Sequence, residues 1–161
     1  MIYGVSRHLI EELEKIYRNI PSGEELCPPG CYKCCGELQS SNKEIVYITF
    51  LEIVYMISGL KPDRLSQITS KSKLTQNNPT FCRFLEVKNG MGRCIVYPKR
   101  PWDCRVFKGP PGKCDYNCSK KDIDARDRIT ELNNQISGKF SFFKEFGRMP
   151  IEFWLDLILS K

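Results

Sequence analysis

Histidine is almost missing from this chain: His8 is the single one among 161 residues. Mixed cysteine–histidine zinc sites are therefore excluded as a general solution, and any metal site must be close to all-thiolate. No apolar run is long enough to cross a bilayer. The longest candidate, Ile45 to Leu60, is broken by Thr49, Glu52 and Ser58. The opening residues Met1-Ile-Tyr-Gly-Val-Ser-Arg-His8 have no apolar stretch of the kind a secretory signal uses. The expectation is a cytoplasmic protein without a membrane span. Internal repeats and low-complexity segments are lacking, as is an acid–base pair at a spacing that would suggest a catalytic dyad. The length and 18.7 kDa mass fit one core, so 1–161 is read as a single domain.

What the chain has in excess is cysteine. Nine are present: Cys27, Cys31, Cys34, Cys35, Cys82, Cys94, Cys104, Cys114 and Cys118. A secreted disulfide scaffold leads one to expect an export signal and an even count. Cys34 and Cys35 are neighbours, and a bridge between neighbours is strained because disulfides normally join Cα atoms farther apart. Inert buried thiols suit one or two positions but not a turn-rich cluster written CPPGCYKCCG. Metal or iron–sulfur ligation is the reading that remains.

The formal charge of +6 suggests nucleic acid, but its location argues against that partner. Between Cys82 and Lys120 there are nine basic and three acidic residues, leaving sixteen of each sign elsewhere. The whole excess thus accompanies five of the nine cysteines. Cations beside a thiol favour the thiolate, and an ion held by four thiolates carries a formal charge of about −2. Two such centres would offset most of the excess.

Along the chain, Val5, Leu9, Leu13, Ile16, Tyr17 and Ile20 fall on one stripe, which predicts a helix over 6–19. Glu44 to Ile48 reads as extended. Thr49 and Glu52 have the spacing of a capping box, so a helix over 50–58 is expected. Pro62 and Asp63 open another helix towards Leu74. Phe81–Val87 and Arg93–Tyr97 read as strands around an Asn89-Gly90 turn, which would place Cys82 and Cys94 on facing strands. Ser119 with Asp122 marks a helix start running to about Ile136. Phe140 to Phe146 and Pro150 to Leu159 read as further apolar helical segments. The fold class expected is α+β: a small cysteine-lined β-hairpin and loops surrounded by several helices, with a cysteine core over about 27–118 and C-terminal helices over about 119–160.

Cys27, Cys31, Cys34 and Cys35 put four thiols within nine residues. A two-residue gap lets a pair meet one metal across a tight turn, in zinc knuckles and iron–sulfur loops alike. Adjacent side chains in an extended chain point to opposite sides, so Cys34 and Cys35 suit different metals or different edges of one cluster. The first three also have the spacing of radical S-adenosylmethionine enzymes. However, Lys33 stands where those enzymes usually carry an aromatic, and the barrel they use is not legible here.

Together, CPPGCYKCCG, then CRFL, then GRCIVYPKRPWDCRVF resemble the YkgJ-type cysteine-cluster family, described as zinc- or iron-chelating domains. The likeness covers about 27–118, and it extends distantly to flagellin lysine N-methylase, which is larger. It implies a ligand set of Cys27, Cys31, Cys34, Cys35, Cys82, Cys94, Cys104 and one of Cys114 or Cys118. Pro98 and Pro101 should turn the chain sharply, bringing Cys104 near Cys82 and Cys94 and facing Arg100 and Arg105, the candidate cofactor-binding residues, towards the anionic sulfurs.

The function expected is therefore ligation of a metal centre, iron–sulfur ([4Fe-4S] favoured) or zinc. An adjacent cysteine pair without histidine suits a polynuclear centre better than isolated tetrahedral zinc. Two other classes stay open. One is an iron–sulfur-dependent enzyme of methyl-transfer or redox type, which needs an open coordination position. The other is a zinc-stabilised interaction module that meets a protein partner through the aromatic C-terminal helices.

Overall fold

The computed structural model describes residues 3–20, 46–74, 82–108, 115–116 and 118–159, with the backbone alone for 69–74, 107–108, 115–116 and 159. The fold is α+β, as the sequence predicts. The α-helices are α1 (Arg7–Arg18), α2 (Phe50–Ile57), α3 (Pro62–Leu74), α4 (Trp102–Val106), α5 (Lys120–Asn134) and α6 (Ile151–Leu159). Tyr97–Lys99 and Gly138–Phe146 form tighter 3₁₀ turns. The strands are β1 (Tyr47–Ile48), β2 (Leu85–Lys88), β3 (Met91–Cys94), β4 (Phe107–Lys108), β5 (Asp115–Tyr116) and β6 (Met149–Pro150). They pair into three antiparallel two-stranded sheets, β1–β6, β2–β3 and β4–β5.

The centre of the molecule is α2, whose eight residues are all buried. A short helix that is apolar on nearly every side can be stable only when wrapped by other elements. Helices α1, α5 and α6 all pack against it. Its start carries the expected capping box, with Thr49 Oγ1 accepting from the Glu52 N–H and the Glu52 carboxylate accepting from the Thr49 N–H. The amide of Leu51, another donor orphaned at the helix start, is taken by Asn133 Oδ1 of α5 at 3.0 Å. Ser6 caps α1, and Ser119 with Asp122 forms a second capping box on α5. The single histidine, His8, is exposed on α1.

The hairpin differs from its sequence expectation in where its ladder begins. Asn89 and Gly90 have φ of 53° and 75°, the paired left-handed residues of a tight hairpin turn. Cys94 pairs with Leu85, and Cys82 lies before the ladder, in a turn closed by the Leu85 N–H donating to its carbonyl at 2.9 Å. The reason is local. Arg83 and Phe84 are consecutive and both buried, whereas a strand sends neighbours to opposite faces. A turn satisfies both: Phe84 enters the core while Arg83 meets Glu152 and Asp156 of α6. Likewise Pro150 ends β6 opposite Tyr47, and α6 starts one residue later. The Phe140–Phe146 segment is 3₁₀ rather than α-helical.

Candidate metal centre

Cys82, Cys94, Cys104 and Cys118 are the cysteines within the described residues, and none of them is in a disulfide. Cys27, Cys31, Cys34, Cys35 and Cys114 lie outside the described residues. Cys82 is buried and the other three are half-buried. Cys94 closes β3 opposite Leu85. Cys104 sits in the middle of α4. The β4–β5 pair, with Phe107 opposite Tyr116 and Lys108 opposite Asp115, folds the chain back on the strand that leaves α4, and Cys118 follows β5 by two residues. That pairing escaped the sequence reading because Gly109-Pro-Pro-Gly112 signals only a loop, and two-residue strands carry no periodicity. Among the described residues, no three histidine, cysteine, aspartate or glutamate side chains converge as metal ligands.

The best-defined geometry is what holds α4, and with it Cys104, in place. Glu52 is fully buried. Its Oε1 accepts from the Tyr17 hydroxyl at 2.7 Å and from the Trp102 backbone N–H at 2.9 Å. Its Oε2 accepts from the Thr49 N–H and hydroxyl at 2.8 and 3.2 Å and lies 3.3 Å from Arg148 Nη1. One carboxylate thus caps its own helix, anchors α1 and receives the first amide of α4. Trp102 adds a second tie, donating from Nε1 to the Asp122 carbonyl at 2.7 Å. Asp103 accepts from the Tyr47 N–H at 2.7 Å and faces Arg148 Nη2 at 3.3 Å. Burial pushes the Asp103 carboxyl up to about 6, against the opposing pull of Arg148. The capping box was legible in the sequence, but the 17–52–102 junction was not, because its members lie 35 and 50 positions apart.

The two arginines take different surroundings. Arg100 stacks on the Tyr97 ring, its guanidinium carbon 3.6 Å from the centroid, and Nε donates to the Tyr97 carbonyl. Arg105 is 6% exposed. It donates from Nε to the Arg100 carbonyl and from Nη2 to the Pro98 carbonyl, both at 2.8 Å, and lies 4.3 Å over the Tyr17 ring. These bonds stitch the two-proline turn closed. Beside Arg105 a cleft of about 610 Å³ opens, with Glu14, Tyr17, Arg18 and Tyr55 on its walls.

At the C-terminal end, Phe143 and Trp154 are buried against Phe50, whereas Phe142 and Phe146 are 52% and 43% exposed. No helix among the described residues is long and apolar enough to span a membrane. Comparison with family models, with curated proteins and with solved structures found no match to this chain.

Proposed function

We propose that this protein binds a metal centre through its cysteine thiolates, with iron–sulfur favoured over zinc. The observation that carries the reading is the donor set itself: nine cysteines, four of them closely spaced in CPPGCYKCCG, with none of the described ones consumed in a disulfide. The only imidazole, on His8, is exposed on α1. A soft, anionic, all-sulfur donor set suits iron–sulfur clusters and zinc and disfavours hard cations. The residues proposed to hold the centre are Cys82, Cys94, Cys104 and Cys118 together with Cys27, Cys31, Cys34, Cys35 and Cys114. Four of the five that lie outside the described residues are those of CPPGCYKCCG. This agrees with the resemblance to the YkgJ-type family, in which the double-cysteine loop is the common element.

The positive stretch from Cys82 to Lys120 supports the centre electrostatically. Arg100 and Arg105 belong to it, with Arg105 acting at a distance because part of its fork is held by backbone carbonyls. Bound to such thiolates, an iron–sulfur cluster supplies electron transfer or an open coordination site, and zinc supplies structural cross-linking. The exposed rings of Phe142 and Phe146 are the surface a protein partner would meet. Anaerobic purification followed by an ultraviolet–visible spectrum with iron, sulfide and zinc analysis tests the proposal. A broad absorption near 400 nm with stoichiometric iron and sulfide is expected. Protein with neither iron nor zinc after anaerobic isolation from supplemented cells would overturn it.

A further inference from the structure

We propose that the cleft beside Arg105 is a binding site for a small organic anion with a planar body, a carboxylate or a phosphate ester. The cleft, of about 610 Å³, lies in the range of small-molecule sites, and it is formed where α1, the end of α2 and the Tyr97–Arg105 turn meet. Its defining feature is the buried guanidinium of Arg105. Arg105 is 6% exposed and pairs with no carboxylate among the described residues. Glu52, the buried carboxylate behind Tyr17, is already engaged by Tyr17, Thr49, Trp102 and Arg148. Carbonyls satisfy two of the N–H groups of Arg105, but no carboxylate among the described residues balances its charge, which is costly in a site withdrawn from water.

The rest of the lining fits the same ligand. Arg18, exposed at the C-terminal end of α1, adds a second guanidinium at the mouth. A guanidinium fork matches carboxylate and phosphate oxygens in pairs. The Tyr17 and Tyr55 rings stand 5.7 Å apart at 48° on its wall, with Arg105 4.3 Å over Tyr17 and Lys99 Nζ 4.8 Å over Tyr55. Glu14 is the only acidic side chain on the described lining. Guanidinium and ring surfaces side by side thus select an aromatic acid or an aryl phosphate over an inorganic ion.

Calorimetric titration of the full-length, metal-loaded protein with inorganic phosphate, benzoate and phenyl phosphate tests it. Benzoate or phenyl phosphate should bind about tenfold or more tightly than inorganic phosphate, and whichever is tighter identifies the carboxylate or the phosphate source. Arg105→Lys should weaken that binding about tenfold, since a point charge cannot reproduce the fork. Arg18→Gln, on an exposed helix position that leaves the fold intact, should weaken it severalfold and reduce its salt dependence. Failure of both aromatic anions to bind at about 10 mM, or equal binding by Arg18→Gln and the parent protein, would each overturn the proposal.

Discussion

Tyr17 and Glu52 form the bond on which most of the described geometry depends, and its chemistry sets a pH limit. Burial, with the Glu52 charge alongside, raises the Tyr17 pKa well above its usual value near 10. The folded state therefore keeps a proton that the unfolded chain releases. Stability from this group is complete below pH 10 and is lost as pH rises above it. Thermal melts from pH 9 to 11 should show a steeper alkaline decline in the parent protein than in Tyr17→Phe, and parallel curves would rule out this linkage. Glu52→Gln tests the other partner. The carboxamide places N–H groups against donors and leaves Arg148 without its buried counter-ion, at a cost of about 3 kcal/mol, or a fall of about 6–12 °C in Tm. Cys104→Ser should fold, because the half-buried residue sits mid-helix, but should lower the bound metal content. Wild-type stoichiometry and spectra in that variant would remove Cys104 from the ligand set.

Helix starts are the elements most firmly encoded. The Thr49/Glu52 and Ser119/Asp122 boxes both form with reciprocal side-chain-to-backbone bonds, since each needs only residues three apart. Ser119→Ala should cost about 1 kcal/mol, read as a Tm lower by about 2–4 °C, with metal content unchanged. The hairpin is encoded just as locally: Asn89 and Gly90 take positive φ and fix a two-residue turn. Its outer end is not. Whether Cys82 joins the ladder depends on Arg83 finding Glu152 and Asp156, seventy residues away, and on Phe84 entering the core.

For the whole molecule, the proposed metal centre and the helical core should differ in how they respond to metal loss. The core around α2 is apolar and closed by α1, α5 and α6, so it can persist without metal. The cysteine-bearing segments gain order from ligation. Chelation should therefore lower Tm and loosen 27–35 and 82–118 by hydrogen exchange while α1, α2 and α5 stay protected; an unchanged melt after proven metal loss would exclude a structural role. The sequence by itself determined the α+β class, the positions of α1, α2, α3, α5 and α6 to within one or two residues at most ends, the Asn89-Gly90 turn and the cysteine inventory, whereas α4 stands where the two prolines signalled only a turn. These follow from periodicity, caps and composition, which act over a few residues. Only the tertiary structure decided that Glu52 joins α1, α2 and α4, that β1 pairs with β6 and β4 with β5, and that Arg105 turns to Tyr17 and the Pro98 carbonyl. Each of these depends on which distant group can satisfy a buried charge or donor, and that is settled only when the whole core closes around it.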